Sequence, residues 1–144
     1  MIRLLPQQIP AYWELIKFVV IKLGEITEPE VPIYLNKVLY LLLNDKAQCW
    51  VNVGDDKQIN NIHLTKIVYS PFTDEKNLEW CGTYAFKFTE NSAWQEMESI
   101  IEQYAKQSGC SSIYGETKNK RILDIAYNCG FKEKSVNFFK PIGV

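Results

Sequence analysis

Apolar residues recur along the first half of the chain at two spacings, and the switch between them divides it. After a short strand-like run over 2–5, ended by Pro6, Tyr12, Ile16, Val19, Val20 and Leu23 fall three and four apart. That spacing lines one face of a helix, and Gly24 is placed to close it. A second helix is predicted after Pro29, with Val31, Tyr34, Leu35, Val38, Leu41 and Leu42 on one face and an end near Asn44. The period then shortens to two. Strands are predicted over 47–53 and 59–70, joined as a hairpin by Gly54-Asp55-Asp56-Lys57. Ile62, Leu64 and Val68 alternate with His63, Thr65 and Tyr69, so His63 reads as a polar residue on the second face of its strand.

A third strand is predicted over 78–88. Leu78, Trp80, Tyr84, Phe86 and Phe88 share one face, Glu79, Cys81, Thr83 and Lys87 the other, and Gly82 marks a bulge. Ser92 and Gln95 have capping-box spacing, which opens a helix whose inner face is Trp94, Met97, Ile100, Ile101, Tyr104 and Ala105 and which Gly109 ends. A strand over 112–117 follows. Asn119 caps a fourth helix with Ile122, Ile125, Ala126 and Cys129 inward and Gly130 as its stop, and 135–140 reads as a last strand. The order β-α-α-β-β-β-α-β-α-β predicts a mixed α/β fold with an antiparallel first half. The strand-helix-strand unit over 78–117 has to cross over right-handed, which makes its strands parallel.

Composition narrows the function classes. With 144 residues, 47% hydrophobic and 23% charged, the chain is expected to form one domain, 1–144. The longest apolar clusters, 18–21 and 38–43, are far shorter than the roughly 20 residues that span a bilayer, and no signal-peptide core is evident. Cys49, Cys81, Cys110 and Cys129 form no closely paired set and His63 is the single histidine, so no metal site is expected and a cytoplasmic, thiol-reduced protein is. The net charge of −1 does not suggest nucleic acid or an anionic membrane as partner. The charge is uneven, however. Seven Lys and Arg against three acids follow Tyr104, with Lys118, Lys120 and Arg121 clustered at the start of the fourth helix. The first helix is apolar nearly all round through Trp13, Leu15, Phe18 and Ile21, which offers a second surface for a homodimer.

The element order, the run Tyr104-Ala105-Lys106-Gln107-Ser108-Gly109-Cys110 and the set Asn119, Tyr127, Gly130, Phe131, Lys132 and Glu133 resemble the GNAT superfamily of acetyl-CoA-dependent N-acetyltransferases. The resemblance lies in the C-terminal half; the first 77 residues match by element order. It implies a GNAT-like mixed sheet whose central parallel strands splay apart, with about four flanking helices. Acetyl-CoA would lie in the splay, its pantetheine arm along the strand that carries Phe86 and Phe88. Its pyrophosphate would meet the first turn of the next helix at Ser92 and Ala93, where free N–H groups and the helix dipole favour an anion. Asn119 opens the helix on the other side of the thiol.

An acceptor amine would be deprotonated by a carboxylate near the splay, Glu116 or Glu79. The superfamily's proton-returning tyrosine falls on Ala126, and Tyr127 stands one place further, about 100° around the helix. The superfamily's Gln/Arg-x-x-Gly-x-Gly/Ala loop aligns with Thr89-Glu90-Asn91-Ser92-Ala93-Trp94, which keeps none of its marker residues. Two readings follow. One is an N-acyltransferase with a divergent cofactor loop. The other is a non-catalytic GNAT-fold structural or protein-interaction protein, for example a phage component.

Overall fold

Two proline-marked starts set the first helices. Pro10 lies in the first turn of α1 (Ile9–Gly24) and Pro32 in that of α2 (Val31–Leu43), positions where a missing N–H leaves no bond unmade. In the computed structural model, which describes residues 1–143, α1 follows β1 (Ile2–Leu4) and α2 precedes β2 (Ala47–Val53), β3 (Ile59–Tyr69) and β4 (Lys76–Ala85). Then come α3 (Asn91–Gln107), β5 (Ser112–Tyr114) and α4 (Lys120–Asn128). The five strands form one sheet in the order β1-β2-β3-β4-β5, antiparallel up to β4 and parallel between β4 and β5. The predicted mixed α/β fold, with an antiparallel first half and a parallel crossover, is the observed one.

Both faces of the sheet are covered. Ile16, Val19 and Val20 of α1 and Leu42 of α2 bury Cys49, Val51 and Ile62 on one face. On the other, Ile101 and Ala105 of α3 cover Trp50 and Leu78, while Trp94 and Met97 reach Ile125 of α4. His63 does stand on the second face of its strand, opposite Ile62, and α3 covers that face. His63 is fully buried, with its ring edge-on to Trp80 and Trp94. Its Nε2 lies 3.2 Å from Met97 Sδ, an acceptor, so Nε2 carries the proton and Nδ1 accepts from the Thr83 hydroxyl at 2.8 Å. Thr83 Oγ1 in turn accepts from Trp80 Nε1 at 2.8 Å. The neutral imidazole is satisfied at both nitrogens, and burial pushes its pKa down to about 3.

Several local expectations change. The predicted bulge is present: Leu64 pairs with Gly82 and Thr65 with Trp80, leaving Cys81 as the extra residue. One inserted residue flips the alternation, so Thr83 joins Leu78 and Trp80 on the α3 face and Tyr84 turns to α1. The single aromatic face is therefore two half-faces. β4 ends at Ala85, which leaves Phe86 stacked on Phe18 of α1 at 6.3 Å and Phe88 exposed beneath the Arg121 guanidinium. Glu90, not Ser92, is the N-cap of α3, without a side-chain cap bond, and Gln95 donates to the Asn128 carbonyl instead of closing a capping box. Gly24 stays helical, and Glu25 takes the left-handed position at φ 47°. β5 stops at Tyr114, three residues before the predicted end. The predicted last strand over 135–140 is absent: residues 131–143 form no helix or strand.

Two predicted stops hold, Gly109 at φ 78° and Gly130 at φ 92°, both in the region glycine enters without a Cβ penalty. The Asn119 cap holds as well. Its Oδ1 accepts from the N–H groups of Arg121 and Ile122 at 2.9 and 3.2 Å. Asn119→Ala is expected to cost about 1 kcal/mol of stability. A urea-denaturation curve superimposable on that of the parent protein would contradict this role.

Candidate functional site

The parallel pairing that opens the site is short. β4 and β5 are in register at Asn77 and Ser112, Leu78 and Ile113, and Glu79 and Tyr114, and there β5 ends while β4 runs on to Ala85. Gly115 sits close to the Trp80 carbonyl, where an added Cβ would lie 3.1 Å from that oxygen. Beyond this point the strands part and the β4 edge from Trp80 onward borders a cleft of about 2030 Å³. Thr83 and Ala85 of β4, Glu98 and Glu102 of α3, Glu116 after β5 and Tyr127 of α4 are among the residues lining it.

The two predicted carboxylates do come together around one residue that sequence reasoning did not select. Tyr114 has its phenol pKa raised by burial and by the charges of Glu79, Cys81 and Glu116. The Cys81 thiol is pushed up to about 11 by burial and by Glu79, against the opposing pull of Lys66. Glu116 lines the cleft; Glu79 lies at the last paired position of β4. Tyr127 lines the cleft with a half-exposed ring, next to Ala126.

The candidate cofactor residues fall in different settings. Ser92 and Ala93 occupy the first turn of α3, a helix end that no side chain caps. A hollow beside the first turn of α3 brings Lys120 and Arg121, two of the three residues of the predicted basic cluster, near Asn91, together with Asp124. Phe88 lines the cleft, whereas Phe86 belongs to the aromatic group on α1. Asn119 lines the cleft, and its side-chain oxygen is committed to capping α4. Thr89, just before α3, accepts from Asn61 Nδ2 at 3.0 Å, which ties this loop to β3.

A second group was not foreseen. Burial, with the Glu102 carboxylate as a further cause, lifts the Glu98 carboxyl to about 7 despite the opposing charge of Lys106. Glu102 itself pairs with Lys106 at 2.9 Å. Perturbed carboxyls in clefts mark candidate proton-transfer groups. The visible signal was Glu98 and Glu102 four apart on one helix, a like-charged pair that costs stability unless used or compensated.

The residues present fit acetyl-CoA in part. The unpaired edge of β4 offers backbone groups to an extended amide-bearing arm, and the uncapped α3 N-terminus with Lys120 and Arg121 would attract a pyrophosphate, while the carboxylates of Asp124 in the same hollow and of the N-cap Glu90 oppose it. Trp94, which takes the place of a small residue in the superfamily's loop, is only 5% exposed and packs with Met97 and Ile125 as part of the core.

The sequence matches no family model and no curated protein. Solved structures do match along nearly the whole chain. A probable acetyltransferase superimposes with a TM-score of 0.75 at 12% identity, over 99% of this chain and 97% of its own. An aminoglycoside acetyltransferase from an uncultured soil metagenomic sample, in complex with sisomicin, gives 0.72 at 13% identity, over 99% and 95%. The aminoglycoside antibiotic 6'-N-acetyltransferase of Acinetobacter baumannii gives 0.69 at 17% identity, over 99% and 97%. At such identities the likeness speaks for the backbone, and it agrees with the parallel pair that parts after Glu79 and Tyr114: the chain has the GNAT acetyltransferase fold.

Proposed function

We propose that this chain is an acyl-CoA-dependent N-acyltransferase that transfers an acetyl group to an amine. The observation that carries the reading is the parting of β4 and β5 beside an uncapped helix N-terminus flanked by Lys120 and Arg121. Bound acetyl-CoA would supply an activated thioester carbonyl. The β4 edge would hold its pantetheine arm, and Ser92 and Ala93 N–H groups with the two cations would hold its phosphates. Glu116, at the cleft, would take the proton of the attacking amine directly or through a water, with Glu79 at the last strand pair sharing that role. Tyr127 would return a proton to the departing thiolate as the new C–N bond forms and the C–S bond breaks. Tyr114, whose raised pKa keeps it protonated at neutral pH, stands beside both carboxylates as a second donor. The reading places the protein in a reducing cytoplasm, where its four free cysteines remain thiols.

A thermal-shift titration tests cofactor binding first. Acetyl-CoA at 100 times its dissociation constant is expected to stabilise the fold by about 2.7 kcal/mol. No shift at millimolar concentration leaves the other reading, a GNAT-fold protein without catalysis, to which the Glu90 carboxylate at the phosphate position already points. In a thiol-release assay with an amine acceptor, Glu116→Gln is expected to lower kcat roughly 100-fold. An unchanged kcat would assign the base to another group.

A further inference from the structure

The N-terminus of α3 is held in place without being capped. Glu90 precedes the helix and makes no side-chain bond to it, and Asn91 and Ser92 in the first turn are exposed. Helix ends fray, and a missing cap adds to it. The hold comes from behind, through the segment that joins β4 to α3. Phe86 donates its N–H to the Asn60 carbonyl at 2.8 Å, just past the last pair of the β3 and β4 ladder, Asn61 with Ala85. Three residues on, the Thr89 hydroxyl accepts from Asn61 Nδ2 at 3.0 Å and donates to the Lys87 carbonyl at 3.3 Å. Asn52 of β2 donates to Asn61 Oδ1 at 3.2 Å. Asn61 is fully buried and Thr89 is 7% exposed, whereas Lys87, Phe88 and Glu90 beside it lie in solvent.

We infer that Asn61 and Thr89 are positioning residues for the cofactor's phosphates: they fix the first turn of α3 through buried side chains, so that its N–H groups stay in place and unbonded. The inference rests on the reading of the chain as an acyl-CoA-dependent transferase. A serine or aspartate cap would steady the same turn, but it would occupy the N–H groups that an anion needs. The Asn61 amide is costly to bury, and apolar residues of the same shape would pack β3 beneath α3 without that cost. What apolar residues cannot do is set a direction. The bonds from Asn52 through Asn61 and Thr89 end on the Lys87 carbonyl, inside the loop itself, and each polarises the next.

Charge makes this placement matter. Glu90 and Asp124 stand near the same helix end as Lys120 and Arg121, so the cations are partly offset and an anion there depends on well-placed N–H groups. The same sheet face carries a second buried chain of bonds that leads elsewhere. Trp50 Nε1 donates to Thr65 Oγ1 at 2.9 Å, and Thr65 Oγ1 donates to Gln48 Oε1 at 2.9 Å. It ties β2 to β3 and makes no bond to residues 86–90. Loss of the Thr65 hydroxyl therefore weighs on stability alone.

Thr89→Val removes the hydroxyl and keeps the shape, Thr89→Ser keeps the hydroxyl, and Thr65→Val is the control. In the free protein, deuterium exchange of the amides over 86–92, read by mass spectrometry, is expected to quicken about tenfold in Thr89→Val and to match the parent protein in the other two. Calorimetric titration with acetyl-CoA is expected to give a Kd about tenfold weaker in Thr89→Val alone, and KM for acetyl-CoA to rise with it while kcat stays within about twofold. Asn61→Leu is a second route to the same loss, and the double variant with Thr89→Val should bind no more weakly than either, since both remove one bond. Unchanged exchange over 86–92 in Thr89→Val, an affinity it shares with a parent protein that binds, or an equal loss of affinity in Thr65→Val overturns the inference alone. A parent protein that takes up no acetyl-CoA overturns the proposed function and this inference with it.

Discussion

Trp94→Ala is expected to lower the unfolding free energy by about 3–5 kcal/mol, the range found when a large buried aromatic side chain is truncated. The indole is one of three buried residues that hold α3 to α4, with Met97 and Ile125, and Ile122 and Cys129 pack around them. It also closes one side of the His63 pocket, ring centroids 5.8 Å apart. Its Nε1 is buried without a hydrogen-bond partner, so part of what the indole contributes is offset by an unsatisfied donor. Trp94→Phe, which keeps most of the apolar surface and removes that donor, is expected to cost far less than Trp94→Ala. Urea unfolding of the three proteins measures both differences. Equal losses in the two variants would mean that the ring does not serve as packing. A loss below about 1 kcal/mol for Trp94→Ala would place the indole outside the core.

Acid will destabilise the protein through His63, and the sign follows from its burial. The imidazole titrates near 6.5 when unfolded and at about 3 when folded. Between these values the unfolded chain holds a proton that the native state refuses, so stability falls as pH drops. At 1.36 kcal/mol per unit the full loss is roughly 4–5 kcal/mol by pH 3. Glu98 acts in the opposite sense. Its folded pKa, raised to about 7 from 4.5, makes the native state the better proton binder across that interval and stabilises it as pH falls. Glu98 is half-buried and partly screened by solvent, so its effect is the smaller of the two.

The parent protein is therefore expected to lose stability slowly from pH 6.5 to 4.5 and steeply below. His63→Phe removes the larger slope and should leave a protein whose stability rises slightly from pH 7 to 4.5. Denaturant midpoints across this range, read with both chains, measure the effect. If the two chains show parallel pH dependence, His63 is not the group that titrates.

The catalytic predictions depend on side chains of unequal legibility. Glu79 and Glu116 were found because each is a carboxylate on or next to a predicted strand of the parallel pair. The structure groups their charges around Tyr114. Tyr114 itself carried no signal, since a tyrosine in a short strand reads as packing until the end of the β4 and β5 pairing is known. Glu98 was hidden for another reason. Its carboxyl is perturbed by burial in the cleft, and one helix read alone does not show what covers it.

Local chemistry alone determined a good deal. The helical and strand periods located the four α-helices and the five strands, though not the two short 3-10 turns, and glycine at positive φ fixed the ends of α3 and α4. The Asn119 cap was readable because its bonds reach only two and three residues ahead. The glycine inside the third predicted strand marked the bulge, and the strand-helix-strand order determined the parallel pair.

What only the tertiary structure decided involves partners distant in sequence. One inserted residue at Cys81 reverses the faces of half of β4, which periodicity counted across it cannot follow. His63 is a core residue because α3, 28 residues further on, covers its face, and Trp94 is core because α4 packs on it. Residues 135–140 have a strand's composition but no ladder partner within the chain. A strand exists only where another backbone meets its hydrogen bonds, and that requirement is written in the neighbour, not in the segment.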